Sequence, residues 1–256
     1  MGKENLRTRA LLHFGLGKRL RVVMQQLSLR LVSRGLWRSE QSGKDGDASA
    51  QTNIARMFEH GVGVDKDESE AILWYGRAAD RGNAGAQNNL GRMYEDGRGG
   101  FVTNDEIEAV RWHNLAAEQG VKEAQFALGN VYDEGRGGLK DTDKAVYWYR
   151  SSANQGLKEA QFTLGSMYAS GQDVPKNEQE AAMWYENAAN LRFTGAQNNI
   201  AWMLLGGQGV PQNLGLPKDF FIAAAAEGHA FSQLSLAHFF HMNSIEGGDP
   251  DIVAAE

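Results

Sequence analysis

Few residues in this chain have the types and spacing that chemistry needs. Two Gly-Arg-Gly-Gly segments, at 97–100 and 135–138, hold enough glycine to wrap a phosphate, yet neither is followed by the Lys and Ser/Thr that a nucleotide loop uses. Asp65-Lys66-Asp67 and Asp141-Thr142-Asp143 begin like a calcium loop, but the turn glycine and closing glutamate are missing from the required offsets. Helix capping is the better account of these aspartates. His238 and His241 are three apart, so on a helix they share a face and could hold a metal, but no third ligand can be identified beside them. With no cysteine in the chain, disulfides, thiolate metal sites and a cysteine nucleophile are excluded, and no serine, histidine and carboxylate set can be argued. The expectation is a chain with no catalytic residues, no cofactor and no metal: not an enzyme.

What the sequence has in abundance is punctuation. It carries 31 glycines against 4 prolines, and the glycines recur at fixed spacings. They belong to the pattern A-Q-x-x-[LI]-[GA]-x-M-Y-x-x-G-x-G, then Asp, then A-x-x-W-Y-x-x-A-A-x-x-G, whose copies begin at Ala50, Ala86, Ala124, Ala160 and Ala196. The separations are 36, 38, 36 and 36 residues, the longer one reflecting two extra residues in the loop 98–105. A sixth start at Ser232 keeps only the first half of the unit. Within a copy, small and apolar residues fall at offsets 0, 4, 7 and 8, as in Ala86, Leu90, Met93 and Tyr94, which is one face of an α-helix. This A helix is predicted to stop at Gly61, Gly97, Gly135, Gly171 and Gly207. Asp67, Asp105, Asp141, Asn177 and Asn213 then cap a B helix with its Trp-Tyr pair, closed by Gly82, Gly120, Gly156 and Gly228. Alanine and glycine let backbones approach, and the aromatic pair is expected to fill the remaining volume against the next repeat. No repeat buries that pair alone, so neighbours must stack and the ends need polar caps.

The predicted organisation is therefore all-α: a solenoid of five helix-turn-helix repeats of about 36 residues plus a C-terminal half-repeat over 45–243, with starts near 48, 84, 122, 158, 194 and 230. Several positions depart from the pattern. His113 stands in the tyrosine slot, Phe220 and Phe221 replace Trp-Tyr, Arg192 replaces a closing glycine, and Pro217 implies a late-starting fifth B helix with proline in its first turn. The glutamines at 51, 87, 125, 161, 197 and 233 recur in every copy, which favours a shared repeat-to-repeat hydrogen bond over a binding site.

Segments such as AQNNLGRMYEDGRGG with EAVRWHNLAAEQG, and AQFALGNVYDEGRGGLKDTDKAVYWYRSSANQG, resemble the Sel-one-like repeat (SLR), a relative of the tetratricopeptide repeat. The resemblance covers about 47–243. It implies a right-handed superhelix of antiparallel helix pairs whose A helices line a concave, partner-binding surface, and an adaptor or scaffold role. Cysteine-rich relatives have been linked to β-lactam or cell-wall hydrolysis, and this chain lacks their cysteines.

Binding specificity should lie where copies differ on the A helix, at offsets 2, 6 and 9. These read Thr52, Arg56, Glu59; Asn88, Arg92, Glu95; Phe126, Asn130, Asp133; Phe162, Ser166, Ala169; Asn198, Trp202, Leu205; and Leu234, His238, His241. The candidate partner-binding residues are Arg56, Asn88, Arg92, Phe126, Asn130, Phe162 and Trp202, suited to a peptide with an apolar anchor and polar or basic flanks. Packing of the phenylalanines and Trp202 against neighbouring helices is the competing account.

Charge divides the chain. Residues 1–44 carry a net +8 and the remainder −14, for a total of −6. So acidic a body excludes nucleic acid as its ligand. The head places Leu16, Leu20, Val23, Leu27 and Leu31 on one face of a basic amphipathic helix, which could pack on the first repeat, contact an anionic membrane through residues 1–40, or direct the chain to an organelle. No apolar run is long enough for a signal core or a membrane span, so a cytoplasmic location is expected, with membrane-peripheral and organelle-targeted alternatives. Residues 244–256 read as an acidic, disordered tail.

Overall fold

The computed structural model describes residues 46–99, 105–213, 215–228 and 230–245, with side chains through His241. The basic head and the segment beyond 245, with the readings attached to them, lie outside these residues. Eleven α-helices and no strand occur among the described residues, and none of those helices is long and apolar enough to cross a membrane. The chain divides into two compact units, ending at Ala116 and starting at Ala117.

The first unit holds α1 (Ala48–His60), α2 (Glu68–Asp80), α3 (Ala84–Glu95) and most of α4 (Glu106–Glu118). Its core joins Ile54, Ala71, Trp74, Tyr75, Ala78, Leu90, Met93 and Trp112. The second holds α5 (Lys122–Glu134), α6 (Thr142–Asn154), α7 (Lys158–Ser170), α8 (Glu178–Asn190), α9 (Thr194–Gly206), α10 (Leu216–Ala226) and α11 (Ala230–Ile245). A and B helices alternate in each. The fold class is the all-α repeat solenoid that the periodicity predicts.

Local chemistry explains the punctuation. Gly61, Gly97, Gly135, Gly171 and Gly207 end the A helices with φ between 62° and 71°, where a Cβ would be strained. Four of the five predicted caps form: Asp67, Asp105, Asp141 and Asn177 each accept a backbone N–H from the first turn of the following helix, whereas the fifth helix has Gly215 at its N-cap. Arg192, in the closing-glycine slot, is held at φ 58°, and Asp173 takes φ 62° where Gly63 and Gly209 stand in other copies. The fifth B helix starts at Leu216, with Pro217 in its first turn, and the Asn213 side chain accepts from the Gly215 and Leu216 N–H groups in the turn that leads into it.

The aromatic pair divides its work. The tyrosine lies on its own repeat's A helix, where a Cβ on Gly129 would fall 2.4 Å from the Tyr149 ring and one on Gly165 would fall 2.6 Å from Tyr185. The expectation that both rings face the next repeat is not met: the tyrosine turns to its own repeat, and Trp184 joins a cluster with Ala145 and Tyr149 of α6, the preceding B helix. Four of the six recurring glutamines make the shared structural bond that was expected, while Gln233 is exposed. Gln87, Gln125, Gln161 and Gln197 each donate from Nε2 to the carbonyl eight residues earlier, near the end of the preceding B helix, at 3.0–3.4 Å.

Two expectations about the C-terminal end change. Helix α11 runs to Ile245, two residues into the segment assigned to the tail. Its outer face is not the polar cap that repeat arrays call for, because Phe231 and Leu234 are 58% and 67% exposed.

Candidate partner-binding face of the A helices

In the first unit the predicted face is reorganised by one carboxylate. Glu59, placed by the offset rule among exposed residues, is only 2% accessible. It accepts hydrogen bonds from the Tyr75 hydroxyl at 2.7 Å, Arg92 Nη2 at 2.9 Å and Arg98 Nη1 at 3.1 Å. Arg98 comes from the first Gly-Arg-Gly-Gly loop, where its Nε also lies 3.1 Å from Asp96. Helix α1 supplies the carboxylate, α2 the phenol and α3 with its loop the two guanidiniums, so residues 16, 33 and 39 positions apart meet at one atom pair. Burial pushes the Glu59 carboxyl up, but the Tyr75 hydrogen bond and the charges of Arg92 and Arg98 outweigh it and hold the group below its ordinary range. The Tyr75 hydroxyl is pushed well above its usual value, by burial first and then by its bond to Glu59.

Glu59 stays ionised and paired, which leaves Arg56 and Arg92 as surface-accessible cations beside it. Arg56 is exposed and makes no ion pair among the described residues, and the Arg92 side chain keeps 48% of its surface. Both guanidiniums act on the same Tyr75 phenol. Asn88 is half-buried on α3. In the next copy His113 takes the tyrosine's place, 3% exposed, stacked on Gly91 with Nε2 3.6 Å from Glu95.

In the second unit the candidate residues are half-buried and largely occupied in packing. Phe126 meets the Tyr149 ring at 5.6 Å, and Asn130 and Asp133 accept from the Tyr149 hydroxyl at 2.8 and 3.3 Å. Phe162 packs between Tyr185 and Phe193, at 5.6 and 4.8 Å. Tyr185 donates to Ser166. Asn198, also assigned to the open face, is 2% exposed. Trp202 lies edge-on to Phe221 at 5.1 Å, contacts the His238 ring at 5.6 Å, and its Nε1 donates to Ser235 at 3.4 Å.

One edge of Trp202 remains available. With Tyr185, Asn199, Gln208 and the Lys176–Glu178 ion pair it lines a cleft of about 200 Å³. Asn199 escaped the sequence reading because offset 3 was not among the sampled positions; the open strip is one residue wider than the rule assumed. The pairs of Glu59 with Arg92 and Arg98 had no local signal either. The only hint was a carboxylate at offset 9 in the first three copies, with a tyrosine or histidine sixteen to eighteen residues later.

Other motifs resolve as structure. The Arg136 Nε of the second Gly-Arg-Gly-Gly loop lies 2.9 Å from Glu134. Asp67 and Asp141 cap helices. No group of three or more metal-ligating side chains occurs among the described residues.

Comparison with protein-family models finds five Sel1 repeats, at 48–83, 84–121, 122–157, 158–193 and 194–229. No curated protein matches. Among solved structures, the chain is similar to a protective antigen of uropathogenic Escherichia coli strains that displays an SLR fold, at 29% identity and a TM-score of 0.71, over 85% of this chain and 54% of the antigen. The chain thus spans about half of that protein's length. A Sel1 repeat protein from Oxalobacter formigenes is 31% identical with a TM-score of 0.67, over 75% of each chain. The chain belongs to the Sel1-repeat family, whose arrays are generally non-enzymatic scaffolds for protein interaction.

Proposed function

We propose that this chain is a binding scaffold that holds extended segments of partner proteins against its A helices. The observation that carries the reading is the cleft beside Trp202. It is open, walled by two aromatic rings, and has the Asn199 amide on its rim to satisfy a partner's backbone. About 200 Å³ is the scale of one apolar side chain, which makes this an anchor pocket and not a substrate cavity. The first unit contributes a different chemistry. With Glu59 buried and paired, Arg56 and Arg92 favour an acidic or polar segment there, in place of the polar or basic flanks expected from the sequence. Asn88 stands on the same helix as Arg92. Phe126, Asn130 and Phe162 support the face through their contacts with Tyr149 and Tyr185.

The test is affinity capture with the wild-type chain and with the triple variant Arg56→Glu, Asn88→Ala, Asn199→Lys. None of these side chains makes a hydrogen bond or ion pair among the described residues, so helicity and melting should be unchanged while captured partners are lost. Partners retained in full by a folded triple variant would sink the proposed face. Failure of the wild-type chain to capture any protein would sink the scaffold reading itself.

A further inference from the structure

The turn ahead of α1 is the turn that ends a repeat. Complete copies close their B helix with two small residues, two polar ones and a glycine: Ala78-Ala79 before Gly82, Ala116-Ala117 before Gly120, Ser152-Ala153 before Gly156. The run Ser42-Gly43-Lys44-Asp45-Gly46 stands 36 residues before the first of these. Gly46 has φ 93°, beside 82°, 87° and 78° at the three closing glycines. Asp47 then caps α1 by accepting the Ser49 and Ala50 N–H groups, as Asn83 caps α3 through Ala86.

Helix α1 also has the face that a preceding B helix covers in other copies. Ala196 and Ile200 of α9 join a cluster with Ala181, Ala188 and Ala189 of α8, the B helix before them, and Gln197 bonds to the Ala189 carbonyl. Their counterparts Ala50, Gln51 and Ile54 are buried as well, although no B helix precedes α1 among the described residues. Trp74 is buried too, in the slot from which Trp112 joins the cluster of Ala71 and Tyr75 of α2, and Trp184 that of Ala145 and Tyr149 of α6. The shared glutamine bond runs to the carbonyl eight residues back, and eight residues before Gln51 is Gly43.

We propose that residues 32–44 occupy the B-helix place beside α1 and Trp74, as an N-terminal half-repeat that caps the array ahead of the five family repeats. Leu36 takes the half-buried slot of Ile72, Val110 and Val146, and Ser42 and Gly43 take slots whose small side chains are buried in complete copies. The slot that sends a tryptophan to the preceding repeat holds Arg38, the charged residue that the outer face of a cap calls for. The tyrosine slot, which covers the A helix of the same copy, holds Ser39. Upstream, the A-helix slots hold Gly15, Lys18 and Arg21 in place of glutamine, leucine and methionine, so only the B half of the unit is kept. Charge favours the same placement: residues 32–44 carry a net +2, and residues 48–80, which form α1 and α2, a net −3.

Amide hydrogen exchange on the full chain, read by mass spectrometry, tests the cap. In the wild type, residues 36–46 should exchange at least about a hundredfold more slowly than an unstructured peptide. Gly43→Glu puts a carboxylate into a slot that is buried in every complete copy, so it should speed exchange in residues 36–46 and in α1 by at least about tenfold. Lys44→Glu changes the charge by more, but it stands in the exposed slot of Asp80, Asn154 and Asn190 and should leave both segments within about twofold of wild type. Unprotected amides at 36–46 in the wild type overturn the proposal. So does a Gly43→Glu chain whose α1 exchanges as in the wild type, or a Lys44→Glu chain that is disturbed as much as Gly43→Glu.

Discussion

Replacing Glu59 with glutamine keeps the side chain's volume and an acceptor for the Tyr75 hydroxyl while deleting the charge that Arg92 and Arg98 share. The two guanidinium bonds, at 2.9 and 3.1 Å, end on a carboxylate whose side chain is 1% exposed. Hydrogen bonds to charged groups are worth roughly 1.5–3 kcal/mol each. Arg92 is half exposed and Arg98 a quarter exposed, so both recover hydration when released, and the net cost at neutral pH should be about 2–3 kcal/mol, below the full penalty for breaking a buried pair. The sign of the pH dependence follows from the lowered folded-state pKa of Glu59. Its contribution is fully present above the ordinary carboxylate value of 4.5 and is lost as pH falls through the lower folded value. Urea unfolding of wild type and Glu59→Gln, followed by circular dichroism at a series of pH values, should therefore show a gap that is constant from neutral pH down to about 5 and closes towards pH 3. A gap that persists undiminished in acid would show that packing around Glu59, and not its charge, supplies the stability. No gap at neutral pH would refute the reasoning outright.

Four further substitutions probe the backbone. Gly129→Ala should destabilise by about 1–3 kcal/mol despite the better helix propensity of alanine, since the new methyl would meet the Tyr149 ring at 2.4 Å. Gly76→Ala, inside α2 with nothing within 4 Å of the added carbon, should instead stabilise by about 0.5–1 kcal/mol; urea midpoints of the pair separate ring contact from propensity. Arg192→Gly should raise thermal stability by up to about 1 kcal/mol, because it relieves a left-handed φ of 58°, and an unchanged melting temperature would mean that the arginine side chain offsets the strain. Gly209→Ala should cost about 3 kcal/mol or more: φ is 69° and the added carbon would sit 2.1 Å from the Glu178 carbonyl, so differential scanning calorimetry showing a near-neutral effect would contradict the geometry.

Much of the fold was legible because each repeat restates its own rules. Caps, closing glycines and the apolar spacing of the A helices depend on neighbours within about four residues, and five copies repeat the signal. Departures were legible for the same reason. Arg192 in a glycine slot, and Pro217 three residues past the position where the other copies start this helix, stood out against the other copies, and the backbone answers each with the strain or late start that the residue type requires. Handing the tyrosine to its own repeat was harder to see. Both possible neighbours offer small residues, and only the ring's position over Gly129 and Gly165 decides between them.

The candidate face was less legible, for a physical reason that bears on how such a scaffold can vary. A residue at offset 6 or 9 is read by solvent and by the B-helix ring at once, and the sequence does not say which reader dominates. At Glu59 the ring and two distant arginines prevail, and a surface acid becomes a buried anchor. At Arg56 solvent prevails, with no ion pair among the described residues. At Trp202 the two share the side chain, one edge against Phe221 and Ser235 and the other on an open cleft. Substitution at these offsets therefore changes binding chemistry and repeat packing together. The exceptions are positions such as Arg56 and Asn199, whose side chains make no hydrogen bond or ion pair among the described residues, so substitution there should alter the proposed partner choice without loss of the stack.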